Sequence, residues 1–537
     1  MTDHPPSGPP PSPSNLAAWS THLGRRIEDP YELRCALAAG GTLPGAFSEM
    51  GRRYADRPAL TVDGTTLTHG QVESETARVA AALKRTNVGL GTRIALVADP
   101  DLSVVVAYLA ALRVGAIVTL VHPSYTVSEI AGIFRGGSAE LALATGDSLG
   151  KVVELSTDFS TVGLKRLDRA IAEHVLDDGH ESDVAAVEPA MGPDSPAIQA
   201  FTSGSTGEPK PVRLSHRNLL TSIRGAMGAW RWSAADRLVH CLPIAHQHGL
   251  GAIHAALLSG SHAVILPRFD PERLIEVADR EEASVLFSVP AIYDRLLAEV
   301  PHLLDRLGRL RLMTSGSAPL APETASRIQE ATGQIPLERY GSTEAGLDVS
   351  NPYEGPRIPG TVGLALPGVE VAILDPDSGT ITDRGTGEVV LRGPQVFGGY
   401  GTDEDRRAFV GGWFRTGDFG AIGEEPAHLR LVGRTKDVII TGGLNVYPPE
   451  IEKVLREIPG VVDAAVIGVQ SERWGEAVTA FVVRDQGGPQ DLTEALQSRL
   501  APHKRPKQII EVDEIPRTEV GKVRREELEQ SIAQRPS

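Results

Sequence analysis

The segment Ala197-Ile-Gln-Ala-Phe-Thr-Ser-Gly-Ser-Thr-Gly-Glu-Pro-Lys210 places a loop of small hydroxyl residues directly after an apolar, strand-like run. Glycines allow the loop backbone to turn so that several amides point inward, and the hydroxyl groups add further donors. Lys210 adds a positive charge at the end of the loop. We therefore interpret the loop as a phosphate-binding element, in preference to a flexible surface turn.

The spacing of this loop differs from that of the Walker A motif. Walker A has four residues between its glycines and a Lys-Ser/Thr pair that opens a helix. Here two residues separate Gly204 from Gly207, and Pro209 and Pro211 flank the lysine. The candidate phosphate-binding residues are Thr202, Ser203, Gly204, Ser205, Thr206, Gly207 and Lys210.

Strands and helices alternate along the chain around the loop. Residues 92–98 and 116–121 have the pattern of strands, and residues 102–112 between them have the pattern of a helix. The same alternation returns at the strand-like runs 263–267 and 284–289. It predicts an α/β fold with a large N-terminal domain of two parallel-type sheets covered by helices.

The residue pattern of the sequence changes twice toward the C-terminus. From about residue 360, Gly, Pro and Asp interrupt short strands, which predicts a small β-barrel-like subdomain. From about residue 436, a compact run of strands and helices predicts a small α+β C-terminal domain. We predict a disordered, proline-rich tail over residues 1–14, the N-terminal domain over 15–435 and the C-terminal domain over 436–537.

Composition excludes several classes of protein. The chain has 537 residues and a formal net charge of -16, so its surface repels nucleic acids and anionic membranes. We find no apolar run long enough to cross a membrane and no signal peptide. The two cysteines, Cys35 and Cys241, cannot build a disulfide framework. These features predict a cytoplasmic protein with no nucleic-acid partner and no membrane insertion.

Five later segments accompany the glycine-rich loop. They are Leu242-Pro-Ile-Ala-His246, Arg339-Tyr-Gly-Ser-Thr-Glu344, Trp413-Phe-Arg-Thr-Gly-Asp418, the run from Gly433 to Glu452, and Pro516-Arg-Thr-Glu-Val-Gly-Lys522. In this order, they resemble the motifs of the adenylate-forming superfamily, which includes acyl-CoA synthetases, adenylation domains of nonribosomal synthesis and luciferases. The resemblance extends from about residue 45 to about residue 530. Six motifs in the same order are difficult to produce by chance.

The resemblance implies an ATP-dependent acid–CoA ligase. Such an enzyme joins a small carboxylic acid to AMP, releases pyrophosphate and then transfers the acyl group to CoA, with Mg2+ required. It implies catalytic roles for four residues. Glu344 would bind Mg2+, Thr343 would bind the α-phosphate, and His246 would gate the acyl pocket. Lys522 would bridge the carboxylate and the α-phosphate.

The resemblance also implies the nucleotide and CoA contacts. Tyr340 would stack on adenine, with Gly341 and Ser342 in the same motif. Asp418 would accept the ribose hydroxyls, and Arg434 would reach ribose and phosphate. Rotation of a mobile C-terminal domain about Lys436 would withdraw Lys522 and bring Gly442 and Gly443 toward the pantetheine arm of CoA.

The acid-binding residues follow from a narrower resemblance. The segments 242–250, 267–270, 311–320 and 337–344 resemble malonyl-CoA synthetases, in which two arginines hold the second carboxylate of malonate. By motif these match Arg268 and Arg311, and the implied acid contacts are His246, Arg268, Arg311 and Gly316. A guanidinium binds a carboxylate through two parallel hydrogen bonds. Alternatively, both arginines end strands and meet solvent or backbone. Ala245 and Ser342 remove bulk relative to those enzymes, which indicates a larger acid.

Two other functions stay open at this point. The chain could be a stand-alone adenylating enzyme that passes its activated intermediate to an amine or to a carrier-protein thiol. It could also be a non-catalytic nucleotide-binding protein, although such a protein has no need of Lys522, Glu344 and Asp418 together.

Overall fold

The computed structural model describes residues 10–39, 41–97, 100–145, 148–155, 163–166, 191–203, 209–401, 405–423, 427–434, 437–441, 444–446, 448–471, 473–485, 491–497, 499–517 and 523–533. The chain divides into two compact units. The first unit comprises residues 1–371 and 391–414, and the second comprises residues 372–390 and 415–537.

The helices of the first unit are α1 Pro13–Leu23, α2 Pro30–Ala38, α3 Leu43–Arg53, α4 His69–Arg85, α5 Leu102–Arg113, α6 Val127–Gly137, α7 Ser148–Leu155, α8 His216–Ala229, α9 Gln247–Ser259, α10 Pro271–Arg280, α11 Pro290–Glu299, α12 Pro322–Thr332 and α13 Asp405–Ala408, with a 3-10 helix at Pro301–Arg309. Those of the second unit are α14 Pro448–Arg456, α15 Leu492–Gln497 and α16 Arg525–Ala533. In the described part of the chain, no helix is both long and apolar enough to cross a membrane.

The strands up to residue 350 are β1 Pro58–Val62, β2 Thr65–Thr68, β3 Arg93–Val97, β4 Ile117–Val121, β5 Leu141–Ala144, β6 Gly163–Arg166, β7 Pro196–Ser203, β8 Pro209–Ser215, β9 Arg237–His240, β10 His262–Ile265, β11 Val285–Ser288, β12 Leu312–Ser315, β13 Leu337–Ser342 and β14 Gly346–Ser350. The later ones are β15 Leu364–Ala365, β16 Glu370–Leu374, β17 Ile381–Thr382, β18 Gly385–Arg392, β19 Phe409–Val410, β20 Trp413–Ile422, β21 Leu429–Arg434, β22 Ile439–Thr441, β23 Leu444–Val446, β24 Val461–Ser471, β25 Gly475–Arg484 and β26 Gln508–Glu511.

One sheet of the first unit has the strand order β6-β5-β3-β4-β7-β8. Strands β6 to β7 of this order are parallel, and β8 returns antiparallel to β7. Strands β3 and β4 and helix α5 are the elements predicted from residues 92–121, and α5 is buried over almost its whole length. Continuous apolar runs of this kind are typical of parallel strands that are covered on both faces.

The other large sheet has the order β15-β14-β13-β12-β11-β9-β10-β1-β2. Strands β1, β10, β9, β11, β12 and β13 are parallel, whereas β2, β14 and β15 are antiparallel additions at the two ends. The two parallel sheets that the sequence predicts are therefore confirmed. Because parallel strands end at the same sheet edge, the residues that follow β9, β11, β12 and β13 share one edge, which is where ligands bind in such folds.

The N-terminal segment packs onto the first unit. Helix α1 begins after Ser12, whose side chain accepts a hydrogen bond from Asn15 N, and Trp19 Nε1 donates to Val369 O at 2.7 Å. The tail expected over residues 1–14 falls mostly outside the described residues. Its last two residues, 13 and 14, form the first turn of α1 instead.

The second unit contains a five-stranded sheet. Its strand order is β23-β22-β25-β24, and β26 pairs with β25 in parallel. Helices α14 and α15 pack on one face around a core of Ile451, Leu455, Val466 and Leu496. This is the α+β arrangement that the sequence predicts. The domain boundary at residue 436 stays a prediction.

Candidate active site

The motif 339–344 forms a β-hairpin at the edge where the parallel strands end. Strands β13 and β14 pair antiparallel, and a turn of three residues, Thr343, Glu344 and Ala345, joins Ser342 to Gly346. Three neighbouring elements hold the turn. Gln247 Nε2 donates to Thr343 O at 2.9 Å, Phe397 N donates to Glu344 O at 2.8 Å, and Leu347 N donates to Ser222 Oγ at 2.8 Å. The turn that carries Thr343 and Glu344 is therefore fixed before any ligand arrives.

Two glycines make this hairpin possible. A Cβ atom on Gly341 would lie 1.9 Å from Gly346 O, and one on Gly346 would lie 2.4 Å from Ser222 Oγ. Gly346 also has a φ of 77°, which favours glycine. The register shifts between Tyr340 and Gly341, so the strand has a local bulge there. Gly341 is thus required by the closeness of the two backbones, in addition to its expected role beside the nucleotide.

Glu344 has the chemistry of a magnesium ligand. Its Oε1 accepts a hydrogen bond from Tyr400 Oη at 2.9 Å, which orients the carboxylate. Among the described residues, no group of three or more His, Cys, Asp or Glu side chains could hold a metal ion. Mg2+ commonly binds to proteins through one or two carboxylates together with substrate phosphates, so a single oriented carboxylate fits this ion.

The other residues of the motif are more enclosed. Tyr340 is only 7% exposed, so its ring is largely covered by protein. Ser342 Oγ is buried and has no hydrogen-bond partner among the described residues. His246 is the residue that precedes α9, and its ring stacks on that of His122 at 6.0 Å.

The strands on either side of the glycine-rich segment pair with each other. Strand β7 ends with Thr202 and Ser203, which pair with Lys210 and Pro209 of β8. The predicted residues Gly204, Ser205, Thr206 and Gly207 lie outside the described residues.

Asp418 and Arg434 lie opposite each other in the second unit. They are paired across β20 and β21, and Arg434 Nε lies 3.1 Å from Asp418 Oδ1. The Asp418 side chain is 12% exposed and that of Arg434 is 47% exposed. The structure thus brings these two predicted residues together. Lys436, Gly442, Gly443 and Lys522 lie outside the described residues.

The two arginines expected to clamp the acid lie at opposite edges of the large sheet. Arg268 follows β10 and is exposed, whereas Arg311 precedes β12. Because β9, β10, β11 and β12 are parallel, one arginine is at the carboxyl edge and the other is at the amino edge. This geometry does not support a clamp formed by the pair.

Arg311 already has a buried partner at the amino edge. Its Nε and Nη2 each donate to the carboxylate of Asp236 at 2.7 Å, and Nη1 donates to Trp230 O at 2.9 Å. Burial of Asp236 opposes its ionisation, yet hydrogen bonds from Arg311 and Ser284 hold the pKa of this carboxyl below its usual value. Arg311 therefore meets backbone, as the alternative expected, but its main partner is the Asp236 carboxylate, which the alternative did not include.

A different arginine has an unsatisfied guanidinium at the carboxyl edge. Arg339, on β13, is 6% exposed, and its Nε and Nη2 have no hydrogen-bond partner among the described residues. Its guanidinium carbon lies 5.6 Å from the centroid of the Phe287 ring. A Cβ on Gly316 would lie 2.4 Å from Arg339 Nε, so Gly316 leaves the space that this side chain occupies.

Arg339 remains a cation at neutral pH. Burial lowers the pKa of its guanidinium to about 9, and the nearby Asp348 carboxylate opposes that effect. No carboxylate of the described residues forms an ion pair with it within 4.0 Å. An unpaired buried cation is costly, so this site favours an anionic ligand.

His248 is close enough to Arg339 to be affected by its charge. His248 Nδ1 lies 2.9 Å from Ser317 Oγ, and the His248 ring meets the edge of Phe287 at 4.6 Å. Burial, followed by the charge of Arg339, holds the pKa of His248 well below its usual value, so this imidazole is neutral. His248 Nε2 is buried without a partner in the described part of the chain. The sequence motifs do not identify Arg339 or His248 as acid-binding residues. The one available signal was a charged residue inside an otherwise buried strand.

Comparisons with known proteins agree with this fold. A model of the AMP-binding enzyme family matches residues 47–401, and a model of the AMP-binding enzyme C-terminal domain matches residues 450–522. The chain is 34% identical over 477 residues to the mitochondrial malonate–CoA ligase ACSF3 of Mus musculus, covering 81% of each chain. It is 32% identical over 513 residues to oxalate–CoA ligase of Arabidopsis thaliana, covering 92% of this chain and 99% of that protein. The structure of ATP-bound MatB from Rhodopseudomonas palustris superposes with a TM-score of 0.83 at 33% identity, covering 92% of this chain and 99% of MatB.

Proposed function

Because the chain belongs to the AMP-binding enzyme family, we propose that it joins a small dicarboxylic acid, malonate or a close relative, to CoA. The enzyme is an acid–thiol ligase that uses ATP, Mg2+ and CoA. Its relatives include a malonate–CoA ligase and an oxalate–CoA ligase, which both act on dicarboxylic acids.

The observation that carries this choice is the unpaired guanidinium of Arg339. A dicarboxylic acid reacts through one carboxylate and keeps a second, which would occupy the site beside Arg339 and satisfy its two buried donors. At about 4 Å and an effective dielectric near 20, such a pair gains roughly 4 kcal/mol of Coulomb energy before desolvation. A monocarboxylic acid leaves the guanidinium unpaired, so the site discriminates against it.

Adenylation joins two anions, so it depends on cations and alignment more than on a base. We propose that Lys522 bridges the carboxylate and the α-phosphate as the two anions approach each other. Thr343 would form a hydrogen bond with that phosphate. Glu344 would hold Mg2+, whose charge neutralises phosphate oxygens when it is bound. Asp418 and Arg434 would bind the ribose, and Lys210 with the loop 202–207 would bind the terminal phosphates.

The second step replaces AMP by sulfur. The CoA thiol attacks the acyl carbonyl, its proton is lost to solvent, and AMP leaves. We assign Lys436 to the hinge that precedes this step, with Gly442 and Gly443 beside the pantetheine arm. His246 would close the acyl pocket around the acid.

The test is mass spectrometry of CoA products after incubation with ATP, Mg2+, CoA and a mixed panel of mono- and dicarboxylic acids. We expect the CoA ester of malonate or of another short dicarboxylic acid to dominate. Exclusive formation of monocarboxyl esters would overturn the proposed substrate. AMP release that needs an amine or a carrier protein in place of CoA would favour the alternative acceptor.

We also propose a cytoplasmic location. Cys35 is exposed and Cys241 is buried, and both are free thiols. Burial raises the pKa of the Cys241 thiol to about 12, so it stays unreactive. An exposed free thiol is compatible with a reducing compartment. Fractionation of cells that express the tagged chain would test this location.

A further inference from the structure

Asp348 is a buried carboxyl group for which the two reaction steps provide no role. It lies on β14 and is 0% exposed. Gln395 Nε2 donates to its Oδ1 at 3.2 Å, while its Oδ2 is buried without a hydrogen-bond partner among the described residues. Buried carboxylates are normally paired with a cation or with several donors, so this environment is unusual.

The charges that act on Asp348 are those of Arg339 and Glu344. Arg339 lies on the adjacent strand β13, and within the described part of the chain its Nε and Nη2 have no hydrogen-bond partner. Asp348 and Arg339 are thus two buried, opposite charges that attract each other without forming an ion pair within 4.0 Å. Taken together, Arg339 and Asp348 carry no net charge when Asp348 is ionised and one positive charge when it is protonated.

The titratable groups on the other elements packed against β14 do not change the net charge around Arg339 and Asp348. Strand β15 carries only Leu364 and Ala365. The titratable groups of α8 are engaged elsewhere: Arg217 pairs with Asp194, Arg224 donates to the carbonyl of Leu37, and His216 accepts from Leu43 N. Glu338 of β13 accepts a hydrogen bond from Gly360 N. His248 beside Arg339 is held neutral by burial and by the charge of Arg339, because both lower its pKa well below its usual value. Asp348 is therefore the group whose protonation decides whether the Arg339 cation is available.

We propose that Asp348 sets the charge of the acyl pocket and takes up one proton from solvent when the second carboxylate of the acid binds beside Arg339. This inference rests on the proposed function, since it requires a dicarboxylic acid at Arg339. Without the proton, the incoming carboxylate would meet both Asp348 and Glu344 as anions around a single buried cation. When Asp348 is protonated, the positive charge of Arg339 and the negative charge of the second carboxylate of the acid cancel each other.

The ionisation of Asp348 falls in the range where this coupling matters. Burial raises the pKa of the Asp348 carboxyl to about 7; the hydrogen bond from Gln395 lowers it, Glu344 raises it, and Arg339 lowers it. A bound carboxylate raises this pKa further. Above the pKa of the free protein, dicarboxylate binding should therefore weaken by up to about tenfold per pH unit.

Isothermal titration calorimetry of the full chain can count the protons. Malonate is titrated in the presence of Mg2+ and an ATP analogue with a methylene group between the α- and β-phosphates, in buffers of different ionisation enthalpy. At about one pH unit above the Asp348 pKa we expect close to one proton taken up per malonate. Propionate, which lacks the second carboxylate, is the control and should take up none.

The matched variant is Asp348→Asn, which keeps the shape of the side chain and the acceptor for Gln395. It should bind malonate without proton uptake and with an affinity that no longer falls between about pH 7 and about pH 9. Unchanged uptake in this variant, or no uptake in the wild type, would overturn the inference and leave the proposed substrate standing. Failure of the wild type to bind malonate would overturn both.

If Asp348→Asn does not fold, the wild type alone decides. The ratio of kcat/KM for malonate to that for propionate should fall by up to about tenfold per pH unit above about pH 7. A ratio that does not change with pH would contradict a proton-coupled pocket.

Discussion

At the scale of single residues, Arg339 and Arg311 show how surroundings decide the role of a charge. Arg311 donates four hydrogen bonds, to Asp236 and to the backbone of Trp230 and Arg231. Arg339 has two buried nitrogens that remain unsatisfied among the described residues. The first arrangement stabilises the fold, and the second favours a ligand.

Arg339→Met should therefore change substrate choice. Methionine fills similar space without the charge, and loss of charge-assisted hydrogen bonds costs about 1.5–3 kcal/mol. We expect kcat/KM for malonate to fall by about ten- to a hundredfold, with little change for propionate. Arg306→Met, at an exposed arginine 3.9 Å from Asp279, is the matched control. Equal losses for both acids would show that Arg339 only supports the fold.

Arg311→Met should lower the free energy of unfolding and leave the choice of substrate unchanged. It leaves the Asp236 carboxylate buried without its partner, and removal of one member of a buried pair costs about 3–5 kcal/mol. Urea denaturation should show this loss while the ratio of malonate to propionate activity stays the same. A lost preference for malonate at unchanged stability would restore Arg311 as an acid-binding residue.

The sequence could not distinguish these two arginines. Both follow or lie within apolar runs, and only the strand directions reveal that Arg311 precedes β12 while Arg339 lies on β13 near the opposite edge. Thr343, Glu344, Asp418 and Arg434 are predicted from the family motifs to which they belong, because each motif is a short continuous stretch of sequence. Ion-pair partners such as Asp236, 75 positions from Arg311, depend on the tertiary fold.

At the scale of elements, the parallel strands were predictable and the site hairpin was not. Strands β3, β4, β10 and β11 are apolar runs, and burial on both faces explains their composition. The hairpin β13–β14 has charged and glycine residues in both strands. Its register depends on the close approach of Gly341 to Gly346 and on Ser222 of another helix.

Ser222→Ala tests whether α8 holds this hairpin. The variant leaves Leu347 N buried without its acceptor, which should cost about 1–3 kcal/mol of stability. We also expect slower acid-dependent pyrophosphate exchange, because Thr343 and Glu344 lose part of their support. Ser326→Ala, at an exposed serine that donates only to Pro322 O, is the control. Normal stability together with normal exchange in Ser222→Ala would show that the hairpin is positioned by other contacts.

At the scale of the whole molecule, several buried histidines make the fold sensitive to acid. Burial lowers the pKa of His216 and of His240 to about 4, and burial together with the charge of His216 lowers that of His254 to about 3. These folded-state values lie below the unfolded value near 6.5. The unfolded chain therefore takes up protons first, so stability is complete above about pH 6.5 and falls as pH decreases toward these values.

We expect the free energy of unfolding to decrease by up to about 2 kcal/mol per histidine between about pH 6.5 and about pH 5. Urea denaturation at several pH values measures it. His254→Gln retains a hydrogen-bond partner for Tyr108 Oη. This variant should lose less stability on acidification, by the contribution of one histidine. A free energy of unfolding that is constant over this range would contradict the assigned neutral state.

The division into two units suits a reaction in two steps. Glu344 and Arg339 belong to the first unit, and the sequence position of Lys522 falls within the residue range of the second. We expect Lys522→Ala to abolish formation of the acyl-adenylate, whereas a pre-made acyl-adenylate should still react with CoA. Rapid-quench assays of the two half-reactions measure this separately. Equal loss in both half-reactions would contradict a role for Lys522 in the first step alone.

The most direct test of the account is the exchange of labelled pyrophosphate into ATP with a panel of organic acids and without CoA. Exchange requires reversible formation of an acyl-adenylate, so it reports the first step by itself. We predict exchange that depends on malonate or another short dicarboxylic acid and that is much weaker with propionate. Absence of exchange with every acid supplied would contradict the assignment of this chain as an adenylate-forming ligase.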